Sequence, residues 1–344
     1  MKQVPASRIV VAGAGSVGCY VGGCLAAAGR DVTLLLRPAL AGIIASHGLR
    51  ISELAGADRV LPATAVKLAT DPAAAFAGAE IILVTVKSGD TGGMAQLIAQ
   101  HAPNGVTVVS LQNGVGNADV LLARLGGMGR VVAGMVPFNV VQSHGDGAAA
   151  RFHRATSGTI LVGSGHTGLR QLLDMPGMAV AEKADMKAVL WAKLLLNLNN
   201  ALVALSGLPL ATQLADRRWR LILARQIGEA LGILKAAGIK PPRIEGVAPA
   251  MIPRILRLPD WLFRRVAARM LAVDPEARSS MWEDLQRGRP TEIGYLQGAV
   301  LALAKTHRIP APVTQGIVRL VKEAEAAKAG SPGLTTDVVE RAIR

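Results

Sequence analysis

The segment Gly13-Ala14-Gly15-Ser16-Val17-Gly18 directly follows a short apolar run, Arg8–Ala12, and opens an Ala/Gly-rich stretch, Val17–Ala28, that ends at Gly29. A strand, a glycine turn and a helix in that order leave few folds open. The first glycine serves the tight turn, the second lets the backbone approach a pyrophosphate, and the third lets the helix lie close to the sheet. Free amides and the dipole at the helix start favour an anion there. The six residues Gly13, Ala14, Gly15, Ser16, Val17 and Gly18 are thereby marked as a dinucleotide-binding turn. The plain alternative is a Gly-rich turn that binds nothing.

The rest of the first half repeats the alternation. Asp31–Leu36, Ile81–Val86 and Val106–Leu111 are apolar, β-branched runs of the kind that form buried parallel strands, and helical stretches around Thr91–Gln100 and Ala118–Leu125 lie between them. Leu49–Ser52, Arg59–Leu61, Val131–Val141 and Thr159–Val162 suggest added strands. The expected fold is a Rossmann-type, doubly wound α/β sheet. After Ala181 only helix-period segments follow: Met186–Ser206, Trp219–Ala237, Trp261–Leu271, Arg278–Arg287, Glu292–His307 and Pro312–Ala329. The second half is expected to be all-α. Pro241–Pro275 reads as a proline-punctuated, loop-rich insertion. The expected division is 1–181 for the dinucleotide domain, 182–330 for a helical substrate domain, and a partly disordered tail at 331–344.

A length of 344 residues suits two domains, and with aromatics at only 3% their cores must be built from Ala, Val, Leu and Ile. The net charge of +14 admits nucleic acid, membrane surface or anionic small molecules as partners. Its densest basic stretches, Arg217–Arg220 and Arg254–Arg269, carry few aromatics, which argues against nucleic acid. An anionic cofactor and an anionic substrate need fewer assumptions. Cys19 and Cys24 lack metal-ligand partners and read as small buried hydrophobes compatible with a reducing cytoplasm; no metal site is expected. The start, Met1-Lys2-Gln3-Val4-Pro5, runs straight into a strand rather than a signal peptide. The apolar run Ala188–Leu208 is interrupted by Lys193, Asn197, Asn199 and Asn200, so a buried helix with one polar face is preferred to a membrane span.

Several polar residues then stand out. The second strand ends Leu34-Leu35-Leu36-Arg37, with an arginine where NAD enzymes carry an acid. Arg37 can pair with a 2′-phosphate, which argues for NADPH; otherwise it is an ordinary solvated charge. Lys87 and Asn113 fall just past carboxyl ends of parallel strands, where ligands of open sheets bind. Lys193, Asn197 and Asn200 are spaced i, i+4, i+7 and share a helical face. They form either a proton donor with two amide partners, or a snorkelling lysine with packing amides. Ser280 and Asp284 share a face in the next block. Thr291 looks like an N-cap with Glu292 in the first turn, and spacing alone gives Glu292 only a helix-dipole role.

Taken together, the glycine motif, Arg37, Lys87, Gln112-Asn113-Gly114, Leu190-Trp191-Ala192-Lys193 with Asn197, Ser279-Ser280-Met281 with Asp284, and Thr291-Glu292-Ile293-Gly294-Tyr295 resemble the ketopantoate reductase family, from Ile9 to about Glu323. The resemblance implies NADPH-dependent reduction of 2-dehydropantoate to (R)-pantoate. It implies that Lys193 protonates the substrate carbonyl oxygen and that Glu292 binds in the cleft beside it near the nicotinamide ribose. It further implies that Asn113 touches cofactor and substrate, that Asn197 and Ser280 hold substrate oxygens, and that Arg37 and Lys87 hold NADPH.

Departures from the family pattern keep alternatives open. A second asparagine four residues after the first would fall on Ala201; Asn200 is adjacent but about 100° away around the helix. Gly294 stands where an acid is common. Another small 2-oxo acid, or a non-catalytic dinucleotide-binding role, are the competing readings. The helical half is compatible with a homodimer.

Overall fold

A computed structural model describes residues 7–54, 56–145, 147–244, 246–268 and 277–344. The chain divides into two compact units, Met1–Met186 and Lys187–Arg344.

The first unit is α/β. Its strands are β1 (Ile9–Ala12), β2 (Val32–Leu35), β3 (Leu49–Glu53), β4 (Asp58–Leu61), β5 (Lys67–Ala69), β6 (Ile81–Val84), β7 (Thr107–Ser110), β8 (Arg130–Met135), β9 (Val140–Ser143), β10 (Ala150–Arg154), β11 (Ile160–Gly163) and β12 (Val180–Lys183). Eight of them form one sheet in the order β12-β11-β8-β7-β6-β1-β2-β5, parallel except where β11 meets β8. The other four form a second sheet, β4-β3-β10-β9. β1, β2, β6 and β7 are buried at every residue, as central parallel strands covered on both faces must be. The expected strand Val131–Val141 is in fact two strands in different sheets. Pro137 lies between them, and a residue with no N–H cannot continue a central ladder.

Helix α1 (Ser16–Ala27) is buried over Gly18–Leu25 and has no polar face, so it must be enclosed. Its glycines are what enclose it. A Cβ on Gly22 would strike Leu34 of the main sheet, and one on Gly23 would lie 2.6 Å from Ile51 of the second sheet. Cys19 and Cys24 sit on this helix as free, buried thiols. Burial pushes Cys19 up and Cys24 up to about 11, so neither is a thiolate at neutral pH. The remaining helices of the unit are α2 (Pro38–His47), α3 (Pro72–Phe76), α4 (Thr91–His101), α5 (Asn117–Leu125) and α6 (Leu169–Leu173).

The second unit is helical: α7 (Met186–Asn197), α8 (Asn199–Ser206), α9 (Leu210–Ala215), α10 (Arg217–Ala236), α11 (Ile252–Leu256), α12 (Asp260–Val266), α13 (Ser280–Gln286), α14 (Gln297–Thr306), α15 (Pro312–Ala327) and α16 (Thr336–Ala342). The helix Met186–Ser206 is long and apolar enough to cross a membrane, but most of it is buried inside the protein. The insertion after Pro241 is mostly irregular up to Leu258 but carries the short helix α11, which buries Leu256, while α12, which buries Phe263, falls at the expected helix Trp261–Leu271; its end, with the expected helix residues after 268, lies outside the described residues, as does the start Met1–Pro5. One expectation is corrected here. The tail after Gly330 is ordered. Ser331 Oγ donates to Ala204 O at 2.7 Å, Leu334 N–H to Leu205 O at 2.8 Å, and α16 buries Val339.

Candidate active site

In the first unit the chemistry collects along one edge of the main sheet. Gly13 has φ +78°, a conformation that favours glycine, and a Cβ there would collide with Val86. Gly18 permits no Cβ either, since one would meet Thr85 Oγ1 and Val11. Gly15 differs: it is exposed, and the nearest atom to an added Cβ would be Gly13 O, 4.0 Å away. Open space thus lies over the second glycine alone. The turn is held by Ala14 N–H to Leu35 O at 2.9 Å and by Thr85 Oγ1, which donates to Gly13 O at 3.0 Å. The first helical bond runs from Cys19 N–H to Gly15 O, so the amides of Ser16, Val17 and Gly18 precede the helical ladder.

Strand register places the other residues beside this turn. Ala12, Val84 and Ser110 end β1, β6 and β7 in one register, and Gly15, Lys87 and Asn113 each follow three residues later. Leu35 of β2 pairs with Ala12, and Arg37 follows it by two. Arg37, Lys87 and Asn113 are all exposed. Four neighbouring parallel strands therefore carry the whole set at their carboxyl ends, as an open α/β sheet requires of its ligand edge. Sequence reasoning missed the layer behind it: Ser88, Thr91, Gln112 and Asn117 are buried polar residues directly under Lys87 and Asn113. Their position just after strand ends, among small polar residues, was the available signal.

In the second unit Lys193, Asn197 and Asn200 are each half-buried, whereas Trp191, Ala192, Leu194, Leu195, Leu198 and Ala201 are buried. The three polar residues thus lie on the open side of a mostly buried helix, which they share with half-buried Leu190 and exposed Leu196. Ala201, the position of the family pattern's second asparagine, is fully buried and adds nothing to that open side. The helix is interrupted at Leu198, whose carbonyl accepts from Gln297 Nε2 at 3.0 Å. Two residues on, Asn200 O accepts from Ser279 Oγ at 2.8 Å. Ser279 also caps α13, accepting from Trp282 N–H. Ser280 opens α13 and is exposed, while Asp284 of the same helix is buried. The pairing of Ser280 and Asp284 on one face thus spans the surface and the interior.

Glu292 is buried, but the expected helix start is corrected. The α-helix begins at Gln297, and residues 292–296 form hydrogen-bonded turns, with Tyr295 N–H and Leu296 N–H both bonded to Glu292 O. Thr291 caps no α-helix. Its N–H and hydroxyl both donate to Glu325 Oε1 at 2.7 Å, and its Oγ1 accepts from Ile293 N–H at 3.2 Å, a cap-type bond that serves the turns at 292–296 because α14 starts only at Gln297. Burial works against the Glu325 charge, but hydrogen bonds from Lys322 and Thr291 outweigh it and leave the pKa below the ordinary 4.5. A carboxyl lowered on folding stabilises the protein above its unfolded pKa, and that contribution is lost as pH falls through the folded value. Glu325→Gln is expected to flatten the acid limb of a Tm-against-pH curve below pH 4.5; an unchanged limb would show that the tie carries no stability.

The blocks Ser279–Asp284 and Thr291–Gln297 are therefore bonded to carbonyls two residues apart, Asn200 O and Leu198 O, at the junction of α7 and α8. Residues 9–166 match the family described as "Ketopantoate reductase PanE/ApbA", and residues 185–325 match "Ketopantoate reductase PanE/ApbA C terminal". The chain belongs to the ketopantoate reductase family. A 2-dehydropantoate 2-reductase from Halobacterium salinarum is 30% identical over 334 residues, covering 92% of this chain and 99% of that protein. The crystal structure of a PanE/ApbA family ketopantoate reductase from Ralstonia eutropha JMP134 superposes with a TM-score of 0.78 at 29% identity, covering 93% of this chain and 99% of that one. A D-mandelate dehydrogenase, solved with NADH and anilino(oxo)acetate, shares the fold with a TM-score of 0.74 at 20% identity, covering 93% and 99% of the two chains. The ketopantoate reductase family is one of oxidoreductases that use a nicotinamide dinucleotide, and its α/β unit followed by a helical unit is the architecture found here.

Proposed function

We propose that this chain reduces ketopantoate to (R)-pantoate with NADPH, in the cytoplasm, as a step toward pantothenate and coenzyme A. One observation carries the reading: a lysine and two asparagines lie on the open side of a mostly buried segment, and the serine block and the glutamate block are both bonded to its backbone, at Asn200 O and Leu198 O. A 2-oxo acid offers a carbonyl, a carboxylate and neighbouring oxygens, and this donor set suits them.

The first unit fits a dinucleotide. The amides preceding the helical ladder of α1 and the open space over Gly15 suit a pyrophosphate. Arg37 at the end of β2, with no acid there, suits a 2′-phosphate, and Lys87 adds a second cation on the same edge. When bound, the dinucleotide supplies hydride to C2 of the substrate. Negative charge then grows on the carbonyl oxygen. The Lys193 ammonium stabilises that charge and gives the oxygen a proton. Asn197 and Asn200 donate to substrate oxygens, Ser280 to the carboxylate, and Asn113 to both substrate and cofactor. Glu292 holds Lys193 and the ribose in place. The 1–181 and 182–330 division assigns the dinucleotide to the first part and the acid to the second.

Purified protein is expected to consume NADPH when ketopantoate is added, and to prefer it to NADH and to other 2-oxo acids. The absence of ketopantoate-dependent turnover by cofactor-binding protein would reject the proposal. Ala201 supports a second reading, reduction of a different 2-oxo acid, because the open side lacks the amide it would otherwise offer. A clear preference for another acid in the same substrate panel would select it.

A further inference from the structure

Lys87 and Asn113 are held from behind by a hydrogen-bond relay with one sense. Ser110 Oγ donates to Gln112 Oε1 at 3.0 Å. The Gln112 amide spends both hydrogens, on Val86 O at 3.1 Å and on Thr91 Oγ1 at 2.7 Å. The Thr91 hydroxyl donates to Asn117 Oδ1 at 3.0 Å. The Asn117 amide also spends both, on Ser88 Oγ at 3.2 Å and Asn113 O at 2.7 Å. Ser88 Oγ then donates to the same Asn113 carbonyl at 2.9 Å. Ser88, Ser110, Gln112, Thr91 and Asn117 are all buried, with Thr91 1% exposed.

We infer that Thr91, Gln112 and Asn117 are positioning residues that fix Lys87 and Asn113 for the dinucleotide. Gln112 holds the carbonyl just before Lys87 and Ser88 the position just after it; two donors hold the carbonyl of Asn113 itself. Thr91 and Asn117 are the first residues of α4 and α5, so their mutual bond also locks together the two helix starts that follow β6 and β7. Each relay hydrogen of Ser110, Gln112, Thr91 and Asn117 has an acceptor, and a satisfied buried network is rigid. Two exposed side chains in the loops after neighbouring strands consequently stand on one platform.

This inference rests on the proposed NADPH reading, and the test separates the two. Thr91→Val keeps shape and removes the hydroxyl; Thr91→Ser keeps the hydroxyl. NADPH affinity is measured by fluorescence titration and stability by thermal melting, with no substrate present. Wild-type protein is expected to bind NADPH, Thr91→Val to bind it roughly tenfold more weakly, and Thr91→Ser to recover most of the loss. In a double-mutant cycle, Lys87→Ala is expected to cost much less affinity in the Thr91→Val background than in wild type, since a misplaced lysine has little left to lose. A wild type that binds no NADPH would overturn the cofactor reading, and this inference with it. A wild type that binds while Thr91→Val melts lower but binds equally well, or an additive cycle, would leave the cofactor reading standing and reduce the relay to a stability element. Should Thr91→Val fail to fold, Asn117→Asp makes the same test, because a carboxylate cannot donate to Asn113 O.

Discussion

Lys193→Ala is expected to lower kcat for ketopantoate reduction by about 10²–10⁴-fold and to leave NADPH affinity unchanged. The size follows from what the side chain is asked to do. Hydride transfer turns a neutral carbonyl into an alkoxide, and in the proposed reaction the Lys193 ammonium is the group that stabilises that charge. Alanine removes both the charge and the transferable proton. The fold should survive, because Lys193 is only half-buried while the packing of α7 comes from Trp191, Leu194 and Leu195. Alanine also has the higher helix propensity. Lys193→Arg is a sharper comparison: it keeps the charge on a planar group that does not release a proton at neutral pH. If charge alone sufficed, Lys193→Arg would recover much of the rate; the general-acid role expects it to recover little. Steady-state kcat with fluorescence-measured NADPH binding decides the matter, and an alanine variant with near wild-type kcat would end the catalytic account of this helix.

Much of the fold was legible because its signals are local. Strand, glycine turn and helix are contiguous from Ile9 to Ala27, and the apolar β-branched runs gave β2, β6 and β7. Signals that depend on the tertiary partner were not. The run to Val141 looked like one strand because its composition is uniform; only the two separate sheets, with Pro137 between them, divide it. Thr291 had the chemistry of an N-cap and its Oγ1 does accept from Ile293 N–H, but the segment it opens is a run of turns tied to Glu325, 34 residues away, and not an α-helix. Arg37, Lys87 and Asn113 were legible as candidates because each follows a strand end in the chain. The relay under Lys87 and Asn113 was not, because a buried glutamine and a solvated one look identical until the sheet brings β6 and β7 together.

The basic run Arg217–Arg220 shows the same limit, and it carries the largest expected effect on stability. Read as sequence it is one cationic patch. In the structure Arg218 pairs on the surface with Asp337 and Glu340, whereas Arg220 has no exposure at all. The Arg220 guanidinium lies 4.2 Å over the Phe263 ring and makes five bonds: to the carbonyls of Leu214, Ala215, Leu256 and Leu258, and to Asp260 Oδ1 at 2.6 Å. Five is the full donor capacity of arginine. One side chain on α10 thereby gathers the end of α9, the end of α11 and the start of α12, and its bond holds the Asp260 carboxyl below the usual range. Arg220→Met is expected to destabilise the helical unit by about 3–5 kcal/mol, since buried carbonyls lose their partners while no new ones appear. For a unit of this size that is a fall in Tm of about 10 °C. Arg220→Lys should rescue little, because three donors at one point cannot reach carbonyls spread across a fork. Release of α11 and α12 would also open the chain at Arg254, Arg257, Arg264 and Arg265, which are already exposed, so trypsin should cut there sooner in the variant. An Arg220→Met protein with wild-type Tm and wild-type trypsin resistance would mean that the carbonyls find other donors and that α10 holds its neighbours by apolar packing alone.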